Sequence, residues 1–208
     1  MSEATDTTQV EQPASFAFTP ENLAKAKAHI AKYPPSRQAS AVLALLDLAQ
    51  RQHANWLPRA AMDHVADLLG MPPIRVYEVA TFYTMFNLRP VGKYLFQICT
   101  TTPCWLNGSE EVVRSCERKL GITIGETTPD HEFTLKEVEC LGACVNAPIV
   151  QVNDDFYEDL DAASTASLID AFKRGETPPV GSVSGRQGSA PAGGLTTLND
   201  LVVPGDRS

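Results

Sequence analysis

In Tyr94-Leu95-Phe96-Gln97-Ile98-Cys99-Thr100-Thr101-Thr102-Pro103-Cys104 the hydrophobic pattern changes from helical to alternating. Tyr94, Phe96 and Ile98 alternate with Leu95 and Gln97, a strand that delivers Cys99 at its C-terminal end. A second pair stands in Cys140-Leu141-Gly142-Ala143-Cys144, so four of the five cysteines fall into two tight pairs with 35 residues between them. Two such pairs suggest one four-thiolate site.

Upstream of this strand the chain reads as helices. Residues 1–18 are polar and without periodicity, and are expected to form a flexible tail. Thr19-Pro20-Glu21 is a helix start, followed by Leu23, Ala26, Ile30 and Tyr33 at helical spacing up to Pro34-Pro35. Ser36 is expected to cap a second helix with Val42, Leu45, Leu46 and Ala49 on one face. A third carries Met62, Val65, Ala66 and Leu69 and stops at Gly70; a fourth starts at Pro72-Pro73 with Val76, Val79, Ala80 and Tyr83. Short links between amphipathic helices predict a helical bundle over 19–90. Residues 65–80 mimic a helix-turn-helix, but the second helix offers only Arg75, set against Glu78, where a DNA reader needs basic and amide groups. Tyr77, Phe82, Tyr83 and Phe86 are expected to serve core or interface packing.

Downstream, Ser109 is expected to cap a helix bearing Val112, Val113, Cys116 and Leu120, ended by Gly121. Phe133 to Glu139 is read as a strand running into Cys140, although Thr134 and Glu137 would also suit a capping box. Residues 149–152 and 156–157 flank Asn153-Asp154-Asp155 as a hairpin. A last helix spans about Ala162 to Arg174. The order strand, helix, strand, strand, helix over 91–175 resembles a thioredoxin-like α/β layer with a mixed sheet, which makes the whole chain α+β. Residues 176–208 are rich in Gly, Ser, Pro and Thr and are expected to be a second flexible tail; their apolar Leu195, Leu198, Leu201, Val202 and Val203 are candidates for docking on a partner.

Composition narrows the function. The chain has 208 residues, enough for one large domain or two small ones. Its longest apolar run, Ala41 to Leu46, is far short of the roughly 20 residues a bilayer span needs. Met1 to Gln12 carries acidic residues and no Lys or Arg, which suits neither a secretory signal nor a transit peptide; the expectation is a cytoplasmic, prokaryotic protein or one whose presequence has been removed. A formal charge of −8 argues against sequence-independent nucleic-acid binding. No phosphate-cradling glycine motif or P-loop is present, so nothing points to a nucleotide or flavin on this chain.

Four thiolates can hold zinc or an iron–sulfur cluster, and the spacing of the pairs admits both. Small neighbours, Gly, Thr and Ala, leave backbone N–H groups free to bond cluster sulfurs and move the balance toward iron–sulfur. Thiol–disulfide catalysis is less well matched, since neither pair has the two-residue spacer that such enzymes use. Cys116 shares a helical face with Val112, Val113 and Leu120 and reads as a packed thiol. His29, His53, His64 and His131 are scattered and are assigned no role.

Val76-Tyr77-Glu78-Val79-Ala80-Thr81-Phe82-Tyr83-Thr84-Met85-Phe86, Pro90-Val91-Gly92-Lys93-Tyr94, the Cys99–Cys104 stretch, Gly125-Glu126-Thr127-Thr128 and Glu139-Cys140-Leu141-Gly142-Ala143-Cys144-Val145-Asn146-Ala147-Pro148 together resemble the 24-kDa-type subunit of respiratory NADH:quinone oxidoreductase (complex I). The resemblance runs from about residue 19 to 172. It implies a helical N-terminal part, a thioredoxin-like ferredoxin domain, and one [2Fe-2S] cluster held by Cys99, Cys104, Cys140 and Cys144. It also implies two partners, a larger subunit that binds FMN and NADH and a neighbouring iron–sulfur subunit, in an assembly peripheral to the cytoplasmic face of the bacterial inner membrane, or to the matrix face in an organelle. The chain itself would be an electron-transfer subunit of the NADH dehydrogenase, without catalysis of its own. The equivalent diaphorase subunit of an NAD-dependent formate dehydrogenase or a bidirectional hydrogenase is the alternative within this resemblance, and a zinc-stabilised interaction module the alternative outside it. Where many members of the family have Asp-Gly, this chain has Asp130-His131-Glu132, which leaves the tightness of one turn in question.

Overall fold

The computed structural model describes residues 11–186 together with residues 188 and 197. They fall into two units, divided between Val91 and Gly92. The first ten residues and Leu195, Leu198, Leu201, Val202 and Val203 lie outside the described residues.

The first unit is built from four helices, α1 (Pro20–Ile30), α2 (Val42–Gln52), α3 (Arg59–Leu69) and α4 (Pro73–Phe82). Thr19 caps α1 by accepting from the Asn22 N–H at 3.3 Å, and Pro20 takes the first helical position, where no amide donor is needed. Gly70 ends α3 in the left-handed region, as its position predicts. Leu45, Leu46, Val65, Ala66, Val76 and Ala80 meet in one core. Arg75 is held by Glu78 at 2.8 Å.

Two expectations are corrected here. Ser36 does not cap α2: it has φ +69°, and the helix begins instead through a 3-10 turn at Gln38–Ala41. Residues 11–18 are not wholly a tail, because Phe18 enters the core and Phe16 and Phe18 both pack edge-on against His64, at 5.7 and 5.3 Å. Aromatic rings at the end of the polar stretch are enough to anchor it. Of the aromatic set, Phe86 alone is core; the Tyr77 hydroxyl bonds Asp63, and Phe82 is 77% exposed. Helical geometry explains Phe82: two residues beyond the inward Ala80, it falls about 200° around the helix.

The second unit is one five-stranded mixed sheet with helices. In chain order it comprises β1 (Tyr94–Cys99), α5 (Thr102–Leu106), α6 (Ser109–Leu120), β2 (Phe133–Val138), β3 (Val150–Val152), β4 (Asp155–Glu158), α7 (Ala162–Lys173) and β5 (Gly181–Ser182). The spatial order is β2-β1-β3-β4-β5. β1 runs parallel to β2, with Phe96 opposite Leu135, and antiparallel to β3, with Ile98 opposite Val150. Asn153 closes the β3–β4 hairpin at φ +55°, and its side chain accepts from the Leu95 N–H at 3.0 Å, which stitches the tip to β1. Successive side chains of a strand point to opposite faces. Phe96 and Ile98 therefore meet Val112, Cys116, Leu168, Ile169 and Phe172 of α6 and α7, whereas Cys99 turns the other way, toward Ile149 and Phe156.

Here too the structure departs from the expectation in places. Gly108, at φ +93°, and not Ser109, precedes α6, because the short α5 ends immediately before it; five residues show no helical period from which α5 could be read. β2 stops at Val138, so Cys140 lies two residues past the strand. Beyond α7 the chain is not tail up to residue 186: β5 pairs with β4, and the Tyr157 hydroxyl reaches the Pro178 carbonyl.

The Asp130-His131-Glu132 turn is tight despite lacking glycine. His131 adopts φ +57°, its N–H meets the Thr128 carbonyl at 2.8 Å, and its own carbonyl accepts from Lys93 at 3.0 Å. A side chain in this region is strained relative to glycine. His131→Gly is expected to raise the unfolding free energy by up to about 1 kcal/mol in denaturant melts. Gly92 is limited by space, since a Cβ there would lie 2.7 Å from the Phe133 nitrogen. Gly92→Ala is expected to cost about 1–3 kcal/mol in the same measurement, as overpacking does.

Candidate metal centre

β1 ends at Cys99, which is buried, and the chain turns at once into α5, where Cys104 is fully buried. Cys140 lies on the loop after β2 and is exposed; Cys144 opens a 3-10 turn, Cys144–Asn146, and is half-buried. The Ala147–Pro148 peptide that follows is cis. All four predicted thiols are brought together. Cys140 and Cys144 have sulfurs 3.3 Å apart, and the Cys99 and Cys104 thiols are hydrogen-bonded to each other. Cys116 is apart from them, fully buried in the helix-side core.

The electrostatics set the two members of each pair against each other. Burial pushes the Cys99 thiol up, but bonds from the Thr101 hydroxyl, the Cys104 thiol and the backbone N–H groups of Thr101 and Leu141 outweigh it and leave it below its ordinary value. Burial, and then the bond to Cys99 and its charge, pushes Cys104 up to about 12, opposed by the Ile149 N–H. In the second pair the Gly142 N–H, 3.4 Å from the Cys140 sulfur, and then the Cys144 thiol hold Cys140 down. Cys144 is held up, first by its bond to Cys140. In each pair one thiol is thus held lower and its neighbour higher, because ionising one of two adjacent sulfurs disfavours ionising the other. Thr101, whose oxygen lies 3.2 Å from the Cys99 sulfur, also reaches Cys140 and so links the pairs.

This donor set fits an iron–sulfur group. Thiolate sulfurs are the ligands such clusters use, and backbone N–H groups aimed at those sulfurs are what tunes them. Among the described residues, no group of three or more His, Cys, Asp or Glu side chains is placed to hold a single metal ion. The sulfur-facing donors Thr101, Leu141, Gly142 and Ile149 were not singled out in the sequence; only the small residues beside the cysteines hinted at them.

Two thiol pairs lie at one end of a mixed sheet flanked by helices, and the chain belongs to the thioredoxin-like [2Fe-2S] ferredoxin family, which matches residues 26–173. It carries one [2Fe-2S] cluster. Across 159 residues it is 60% identical to the E-type subunit of the NADH-quinone oxidoreductase of Rickettsia conorii, covering 76% of this chain and 95% of that relative. It is 52% identical over 183 residues to the mitochondrial NADH dehydrogenase (ubiquinone) flavoprotein 2 of Dictyostelium discoideum, covering 88% of this chain and 74% of the relative. The fold also recurs in the crystal structure of an NAD+-reducing [NiFe]-hydrogenase, with a TM-score of 0.55 and 22% identity over 62% of this chain and 23% of the hydrogenase chain.

Exposure and thiolate character together order the reactivity of the free thiols. In metal-free protein, brief alkylation under native conditions is expected to label Cys140 first and Cys104 and Cys116 last, as read by mass spectrometry of the peptides. Early labelling of Cys116 would contradict the burial pattern.

Proposed function

We propose that this chain is the electron-transfer subunit of an NADH:quinone oxidoreductase, in which Cys99, Cys104, Cys140 and Cys144 hold the [2Fe-2S] cluster and single electrons are exchanged with the FMN of a partner subunit that binds NADH. The observation that carries this reading is the convergence of the two thiol pairs, with their N–H donors, in a chain that matches the Rickettsia conorii relative along 95% of that relative's length. When bound, the cluster supplies one-electron chemistry, which is why the two-electron chemistry of NADH belongs to a flavin on a neighbouring chain.

The chain's own residues do the positioning. Cys99 and Cys104, both buried, hold one side of the site away from water, while exposed Cys140 brings the other side to the surface. Trp105 and Leu106 directly follow Cys104, and Val145 directly follows Cys144; all three are large, apolar and more than half exposed. Apolar groups set beside a surface site suit a contact with a partner, and they would bring the flavin subunit close to the thiols. The neighbouring iron–sulfur subunit completes the set of partners. Among the described residues no helix is long and apolar enough to cross a membrane, which accords with a peripheral place on the cytoplasmic or matrix face. The diaphorase subunit of a hydrogenase is the less supported reading, since that likeness rests on fold at 22% identity.

Purified without oxygen, the protein is expected to be coloured and to bleach with dithionite; stoichiometric zinc in colourless, unexchanged protein would overturn the assignment. Cys99→Ser and Cys144→Ser are expected to lose the cluster or change its electron paramagnetic resonance, while Cys116→Ser retains both. Alone, the chain is expected to give no NADH oxidation with ferricyanide. Recovery of a flavoprotein together with quinone-reducing subunits on native purification would support the assembly, whereas a formate dehydrogenase or hydrogenase would replace it.

A further inference from the structure

The segment after α7 lies far in sequence from the cysteines, yet it returns to them. β5 pairs in parallel with β4, placing Gly181 opposite Tyr157 and Ser182 opposite Glu158, and the Val183 N–H meets the Glu158 carbonyl at 3.1 Å. Four residues past β5, Arg186 forms a two-pronged ion pair with Asp159: Nε lies 2.8 Å from Oδ2 and Nη2 lies 2.6 Å from Oδ1. The same Nη2 donates to the Val145 carbonyl at 2.9 Å, one residue beyond Cys144.

We propose that Arg186 is a positioning residue for the Cys140–Cys144 half of the site, clasping the loop by its Val145 carbonyl while anchored on Asp159. Paired, fork-shaped Arg–carboxylate contacts are geometrically specific. This one is only 18% and 15% exposed at its two side chains, unlike the open ion pairs elsewhere on the chain. Asp159 is itself fixed. Its N–H donates to the Asn146 carbonyl at 2.7 Å, its Oδ2 accepts from Ser182 at 2.5 Å, and Ser184 approaches the same oxygen at 3.3 Å. The neighbouring Glu158 accepts from the Asn146 amide at 2.6 Å, and the Leu160 N–H meets the Pro148 carbonyl at 3.2 Å. The loop from Val145 to Pro148 is therefore tied to the end of β4 by several bonds, and Arg186 closes that network from outside. Cys140 by contrast is exposed and is held at its sulfur by the Gly142 N–H and Cys144. The lie of this half of the site thus depends on what holds Cys144 and the residues after it.

The clasp rests on the reading that Cys140 and Cys144 are cluster ligands, and the test separates the two. Full-length holoprotein carrying Arg186→Gln, Arg186→Lys, Cys144→Ser or, as an exposed control, Arg174→Gln is purified without oxygen. Iron content, electron paramagnetic resonance, midpoint potential and the rate of cluster loss to a chelator are then compared with the unchanged protein. Arg186→Gln is expected to lose the cluster several-fold faster and to shift both resonance and potential. Arg186→Lys should recover part of the loss, and Arg174→Gln should behave as unchanged. An unaltered resonance and loss rate in Arg186→Gln, alongside a Cys144→Ser variant that loses its cluster, would overturn the clasp alone; an unaltered Cys144→Ser would overturn the ligand assignment and the clasp with it. Should Arg186→Gln not fold, amide exchange in the unchanged protein decides. The clasp requires the amides of Asn146, Asp159 and Val183 to be protected together, and free exchange at Val183 beside protected Asn146 would overturn it.

Discussion

Four thiols gathered at one end of a sheet are an electrostatic problem before they are a site. Adjacent sulfurs resist ionising together, and each thiolate that forms raises the cost of the next. The fold meets this with hydrogen bonds: the Thr101 hydroxyl and the N–H groups of Thr101 and Leu141 turn to Cys99, that of Ile149 to Cys104, and that of Gly142 to Cys140. These bonds hold the Cys99 and Cys140 thiols below their ordinary values, while Cys104 and Cys144 are held above theirs. Bound iron would supply the positive charge that lets the remaining pair ionise. The polypeptide alone thus already turns hydrogen-bond donors toward these sulfurs.

What brings those donors together is the alternation along β1. One face of the strand, with Phe96 and Ile98, is committed to the core against α6 and α7; burying each such side chain is worth roughly 1.5–3 kcal/mol, so the register cannot slip without exposing them. With the register set, Cys99 must face the other way. Parallel pairing with β2 then carries the chain past Val138 to Cys140 at the same end of the sheet, and the Ile149 carbonyl accepts from the Cys99 N–H at 3.2 Å. The apolar core fixes the metal side without touching it.

Much of this was legible in the residues. Alternating Tyr94, Phe96 and Ile98 marked β1, the two cysteine pairs marked the thiols proposed as the site, and Asn153-Asp154 marked the hairpin, because each is a local pattern with a local cause. What escaped was either too short to have a period or made by distant parts. α5 has five residues, and its first turn is disguised by Thr100 to Pro103. Phe18 is buried in the core beside His64, which lies far along the chain. Arg186 sits among Gly and Ser, a composition that reads as flexible, and only the pairing of β5 with β4 reveals that it reaches Asp159. The aromatic run of α4 was read only as core or interface packing, because hydrophobic composition does not tell which face of the helix each ring occupies.

Cys104 and Cys116 show why burial alone is a poor guide to a metal ligand. Both are fully buried, and burial is the first cause that pushes each thiol up to about 12. Their neighbours differ. Cys116 is surrounded by the apolar side chains of the helix-side core, and the further influence on it, the charge of Glu117, also disfavours a thiolate. Around Cys104 stand a second thiol, Cys99, which also pushes it up, and the Ile149 N–H, which opposes the rise. In the proposed assignment the Ile149 N–H and the neighbouring cysteines make Cys104 a ligand, while Cys116, among apolar side chains, is left out. On this reading it is the polar atoms within reach of the sulfur, more than its burial, that separate the proposed ligand from the packed thiol.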